Sequence, residues 1–162
     1  MEQNSLMISR ESFISILQRL EIAYSPKFQF GNDQTKFNLW YDMFSDCDEE
    51  GLMCAVDKCI KENEFPPNIA ALMKCYKELE SERADLAETI KNQYMIICSI
   101  WGEKYNLETL REIQKYILKF PKKVRKIEMV ELTHDAVSFK HDCEARGRID
   151  IPTIKEYIQG ER

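Results

Sequence analysis

Residues 34–44, with the sequence QTKFNLWYDMF, hold four aromatic side chains within eleven positions. Spacings of three, one and three residues place all four on one face of a helix. A helix with such a face buries it against a core. We therefore interpret the aromatic cluster as part of a core that determines the fold, rather than as a ligand site. Its members are Phe37, Trp40, Tyr41 and Phe44.

Helical spacing of apolar residues continues on both sides of this cluster. An earlier stripe runs from Phe13 to Tyr24, and a loop with Pro and Gly follows over residues 25–33. A third helix extends to about Asn63. The two prolines that follow end this helix, because a residue before proline is pushed out of the helical region. A long helix is predicted from there to about Trp101.

The second half of the chain also shows helical stripes. Pro121 ends or bends the helix that carries Leu110, Ile113 and Ile117. Residues 124–132 are rich enough in β-branched side chains that a short strand is an alternative there. Capping patterns place helix starts at Ser9, Asp46, Asn106, Thr133 and Asp150.

These patterns predict an all-α protein built from two small helical modules joined by a long helix. We expect an N-terminal module over residues 1–80 and a C-terminal module over residues 100–162. The segment 81–99 has little apolar content at its start, ELESERADLAE over residues 78–88, and is interpreted as a helical connector.

Charge is unevenly distributed along the chain. The formal net charge is −5, which argues against a general nucleic-acid coat protein. Residues 1–65 hold six lysines and arginines against twelve acidic residues. Five basic residues are concentrated near residue 122, where they are candidates for contact with DNA or an acidic partner, the alternative being a solvated helix start. They are Lys119, Lys122, Lys123, Arg125 and Lys126.

The sequence gives little indication of catalysis. It lacks a glycine-rich phosphate loop and the common hydrolase and zinc-protease motifs. His134 and His141 lie about two helical turns apart, too far to share one metal ion. We therefore predict no catalytic residue, no metal site and no cofactor. The six cysteines are expected to be reduced, since no export signal or membrane span is recognised, and the expected location is the cytoplasm.

Residues 14–73 carry an ordered set of features. A first amphipathic helix is followed by Tyr24-Ser25-Pro26, then by Trp40, then by the acidic turn Asp46-Cys47-Asp48. A further helix leads to the sequence FPPNIA at residues 65–70. In this order the features resemble the small helicase loader and inhibitor proteins encoded by phages of Gram-positive bacteria. The residues that match the family, interpreted as fold markers, are Trp40, Phe65, Pro66, Pro67 and Ile69.

The resemblance implies a non-enzymatic adaptor in a bacterial host cell. Such proteins bind the hexameric replicative helicase, inhibit its ATPase and unwinding activity, and load it at the replication origin through an origin-binding protein. Family members tend to have a polar, poorly ordered C-terminal part, whereas residues 100–162 here read as folded. The alternative function is a small DNA-binding replication accessory protein that binds the origin or single strands.

Overall fold

The computed structural model describes residues 7–160, which form seven α-helices and one 3-10 turn. No strand occurs within this range, so the all-α prediction is confirmed and the strand alternative for residues 124–132 is wrong. None of the helices described is long and apolar enough to cross a membrane. The helices are α1 (Arg10–Tyr24), α2 (Gln34–Phe44), α3 (Glu49–Glu62), α4 (Ile69–Trp101), α5 (Leu107–Leu118), α6 (Arg125–Ala145) and α7 (Ile154–Gln159), and the 3-10 turn is Lys122–Val124.

The chain forms two compact units, Met1–Glu82 and Arg83–Arg162, each with its own hydrophobic core. Helix α4 contributes its first half to the first core and its second half to the second. The three-part division expected from the sequence stays a prediction. Within the expected connector, Ile90, Tyr94 and Ile97 are buried in the core of the second unit.

The first core is built around the aromatic cluster of α2. Trp40 is only 6 % exposed, and its ring meets Phe28 and Phe30 edge-on with centroids 5.5 and 5.4 Å away. Phe13 of α1 stacks on Phe44, and both are fully buried. Helix α1 packs on α3. The predicted burial of Trp40 and Phe44 is therefore confirmed, while Phe37 and Tyr41 lie half-buried at the edge.

The last residue of α1, Tyr24, is hydrogen-bonded to the end of α3. The hydroxyl of Tyr24 donates to the carbonyl oxygens of Cys59 and Asn63, at 2.9 and 3.1 Å. The chain then turns through a cis peptide bond between Ser25 and Pro26. The two hydrogen bonds of Tyr24 fix the end of α1 against the end of α3.

The second core joins α4, α5, α6 and α7. Helix α5 packs on both α6 and α7, and fully buried side chains from each helix meet there. The carboxylate of Glu103 accepts a hydrogen bond from the Ile154 amide at 3.0 Å, which fixes the start of α7. Lys155 forms an ion pair with Glu108 at 2.6 Å. Residues 100–162 were predicted to be folded, and the described part of this segment has a packed interior.

The helix starts confirm two of the five predicted caps. The side chain of Ser9 accepts from the Ser12 amide, and that of Asn106 accepts from the Glu108 and Thr109 amides. Both residues thus satisfy amides that the first helical turn leaves without partners.

Three predicted caps are wrong. Helix α3 is capped by Asp48 rather than Asp46, because Asp48 has the extended backbone from which its carboxylate reaches the Gly51 amide at 2.7 Å. Thr133 lies inside α6, where its hydroxyl donates to the Met129 carbonyl. Helix α7 begins after Thr153, which forms a capping box with Glu156. Asp150 instead pairs with Arg148.

Candidate partner-binding surfaces

The residues interpreted as fold markers occupy different environments. Trp40 and Pro67 are buried, and Pro66 and Ile69 are half-buried. Phe65 is 62 % exposed, and the ammonium of Lys27 lies 4.7 Å from the centre of its ring. The role of these five residues as fold markers stays a prediction, but Phe65 contributes little to the core.

An open apolar groove lies in the first unit, between the end of α2 and the first turns of α4. Its floor consists of Met43, Ile69, Ala70 and Met73. Met43 is 51 % exposed, while Ile69 and Met73 are half-buried and pack against the first core. We call this surface the apolar groove.

Charged side chains of α4 border the apolar groove. Lys74, whose side chain is 80 % exposed, and Lys77 line its edge together with Glu78. The Glu78 carboxylate lies 3.8 Å from the Lys58 ammonium and 4.0 Å from that of Lys74. Two lysines and one glutamate line this border, so basic side chains exceed acidic ones there by one.

This groove was not predicted from the sequence. The buried stripe of α4 runs through Leu72, Cys75 and Leu79, so Ile69 and Met73 lie beside it. That offset was a signal of a second apolar face. The position of Met43 in the groove could not be predicted from the sequence, because it depends on how α2 and α4 approach each other.

The five basic residues predicted as contact candidates lie in segment 119–126 of the second unit, and they divide into two groups. The guanidinium of Arg125 donates to the carbonyl oxygens of Phe120 and Leu118, at 2.9 and 3.1 Å. Lys126 is paired with Asp85. Both side chains therefore already have partners within the second unit.

The other three basic residues are Lys119, Lys122 and Lys123, and all three are exposed. We call them the lysine patch. That residues of this segment contact DNA or a partner stays a prediction. The three exposed lysines are the members of the segment whose side chains are available for such a contact.

The titratable groups of the interior are thiols and phenols. Burial raises the pKa of the Cys47 thiol to about 11. Burial, and then the neighbouring Cys75 thiol, raise the pKa of Cys59 far above its ordinary value. Such thiols stay protonated at neutral pH and are poor nucleophiles.

The two histidines lie on the surface of α6. His134 and His141 are exposed and lie near Asp135 and Glu144, at 3.9 and 3.8 Å. Over residues 7–160, no three histidine, cysteine or acidic side chains are grouped closely enough to hold a metal ion.

The exposed groove, the exposed Phe65 and the lysine patch are features with which proteins contact other macromolecules. The fold defines the class of the molecule: an all-helical protein with two compact units.

Comparison with protein families specifies the class further. Residues 7–73 match the family model for the N-terminal domain of the helicase loader of phage SPP1. The resemblance to phage helicase loaders predicted from residues 14–73 is therefore confirmed. The match covers less than half of the 162 residues and ends within α4. No curated protein and no solved structure matches the chain.

Proposed function

We propose that this protein is a non-enzymatic helicase loader. It binds a hexameric replicative DNA helicase, inhibits its ATPase and unwinding activity, and releases it at the replication origin with the help of an origin-binding protein. The observation that carries this proposal is the match of residues 7–73 to the N-terminal domain of a phage helicase loader. The site of action would be the cytoplasm of a bacterial host cell.

The structure offers what such an adaptor needs. Binding to a large partner requires exposed apolar area and charge complementarity, and the first unit presents the apolar groove with its basic border. The second unit presents the lysine patch on a separately folded core.

Loading and simple inhibition can be separated by one experiment. The purified protein is mixed with the helicase and ATP, and helicase unwinding is followed before and after addition of origin DNA carrying its origin-binding protein. A loader inhibits first and restores unwinding on the origin DNA. Inhibition that persists on origin DNA would instead identify an inhibitor that sequesters the helicase.

The second candidate is a small DNA-binding replication accessory protein, and the lysine patch favours it. If the three lysines contact phosphates, affinity for DNA alone falls steeply with salt, with a slope of log K against log salt of about −2 to −3. Reversing Lys119, Lys122 and Lys123 to Glu then removes that dependence. An adaptor without DNA contact binds DNA only weakly, and the triple variant does not change this binding.

A further inference from the structure

The lining of the apolar groove follows α4 for about three helical turns, with apolar side chains in the first turn and charged or polar side chains beyond it. Its lining begins at Ile69 and ends at Ser81, twelve residues further along the helix. At 1.5 Å per residue this is a length of about 18 Å. A partner helix of about three turns, lying alongside α4, would match that length.

The floor of the groove is apolar and adaptable. Met43 and Met73 supply two thioether side chains, which adjust to different apolar surfaces more readily than branched residues do. Leu39 lies one turn before Met43 on α2 and is more than half exposed, so it extends the apolar surface along α2. An apolar floor of this kind suits the apolar face of an amphipathic helix rather than a nucleic acid.

The border of the groove carries one more basic than acidic side chain. Lys74 and Lys77 flank the floor, and Glu78 is offset by Lys58 and Lys74. The chain around it is acidic, since residues 1–65 hold twice as many acidic as basic residues. An acidic partner is therefore repelled by most of the first unit and attracted at this border.

From length, floor and border together we infer that the apolar groove binds an amphipathic helix of the replicative helicase whose apolar face is flanked by acidic side chains. This inference rests on the proposed function. The floor residues Met43, Ile69, Ala70 and Met73 lie within the segment that matches the loader family, whereas Lys74 and Lys77 lie just beyond it.

The first arm of the test places a charge on the floor. Met43→Glu is compared with Met95→Glu in the full-length protein, because the two methionines are 51 % and 52 % exposed and Met95 lies in the second unit. Binding to the purified hexameric helicase is measured by sedimentation. We expect Met43→Glu to weaken binding by about tenfold or more, and Met95→Glu to leave it unchanged.

The second arm reverses the border. Lys74→Glu with Lys77→Glu is compared with Lys91→Glu and Lys104→Glu, two exposed lysines of the second unit. We expect only the border variant to weaken binding, by about tenfold at low salt and by less at high salt, because salt screens the pairing. Circular dichroism of each variant checks that its helices are intact.

The binding measurements separate a failure of the proposed function from a failure of the inference about the groove. If the native protein does not bind the helicase, the proposed function fails and the inference falls with it. If the native protein binds and both groove variants bind equally well, the inference alone is overturned. Sedimentation of the protein by itself tests whether the groove binds a second copy of the chain. If the native protein self-associates, and Met43→Glu abolishes self-association without affecting helicase binding, the groove binds a second copy and the inference is wrong.

Discussion

At the scale of single residues, Trp40 shows how one side chain organises the first unit. Its ring touches Phe28 and Phe30 of the preceding loop and lies 5.9 Å from Phe44 on its own helix. Periodicity along α2 was sufficient to predict its burial, because the aromatic residues share one helical face. The loop partners were not predictable, since their contact with Trp40 depends on the path of residues 25–33.

Replacing Trp40 with Ala is expected to lower the free energy of unfolding by about 3–5 kcal/mol, because the change leaves a large cavity in the core. Urea denaturation followed by circular dichroism measures the loss. Leu39→Ala is the control, since Leu39 is 55 % exposed on the same helix and its truncation removes little buried area. Equal losses in the two variants would show that Trp40 is not the packing centre of this unit.

The stability of the protein should fall in alkaline solution. Burial raises the pKa of Cys47 from 9.0 to about 11, and burial also raises the pKa of Cys59, Tyr24 and Tyr94. The unfolded chain therefore loses these protons at lower pH than the folded chain. The contribution of these protonated groups to the stability of the folded protein is complete below about pH 9. It is lost as the pH rises toward 11.

Thermal unfolding at pH 8 and pH 10.5 measures this effect, and Cys47→Ala should show a smaller decrease in Tm between the two values. A Tm that is equal at both pH values in the native protein would contradict the burial of these groups.

Phe65 marks the limit of sequence analysis at this scale. The resemblance to the loader family made Phe65 a fold marker, and its ring is mostly exposed beside Lys27. Periodicity gives no information in such a loop, because no regular element fixes the direction of the side chain.

At the scale of helices and turns, the caps separate what local sequence decides from what it does not. Ser9 and Asn106 were predicted correctly because each directly precedes the apolar stripe of its helix. Ahead of α3 both Asp46 and Asp48 are candidates, and the spacing of Asp46 to Glu49 favoured the wrong one. The hydroxyl of Tyr76, on α4, accepts from the Asp48 amide at 3.0 Å, which is a tertiary contact invisible to a local pattern.

The cap of α3 can be tested with two substitutions of the same type. Asp48→Ala should lower the free energy of unfolding by about 1 kcal/mol, because the Gly51 amide loses its acceptor. Asp46→Ala should change it by less than about 0.5 kcal/mol, because Asp46 is exposed and outside the cap. Urea denaturation compares the two, and the reverse order of effects would restore Asp46 as the cap.

Close packing between α3 and α4 depends on Gly51. A Cβ atom at this position would lie 2.9 Å from the ring of Tyr76 and 2.9 Å from the Glu80 carboxylate. No sequence pattern marks this approach, because it arises only when the two helices pack.

At the scale of the whole molecule, the second unit lies outside the segment that matches the loader family. The match to the loader domain ends at residue 73, whereas residues 83–160 enclose a core of their own. The all-helical class was predictable from periodicity over the full length. The apolar groove was not, because Met43 and Ile69 come from helices 26 positions apart in sequence.

Because each unit has its own core, a fragment of residues 1–82 is expected to fold alone. Its circular dichroism should be helical and its thermal unfolding cooperative. The same fragment with Trp40→Ala serves as the control, since loss of the core should abolish the transition. A native fragment without a cooperative transition would show that the first unit depends on the second.

The central claim is that the protein binds and restrains a hexameric replicative helicase, and its most direct test combines binding and activity. The purified protein and the helicase, from host or phage, are passed together through a size-exclusion column with ATP, and ATPase rates are measured on the same fractions. The account predicts co-elution and a lower ATPase rate per hexamer. Separate elution, with a helicase that is active on its own, would contradict it.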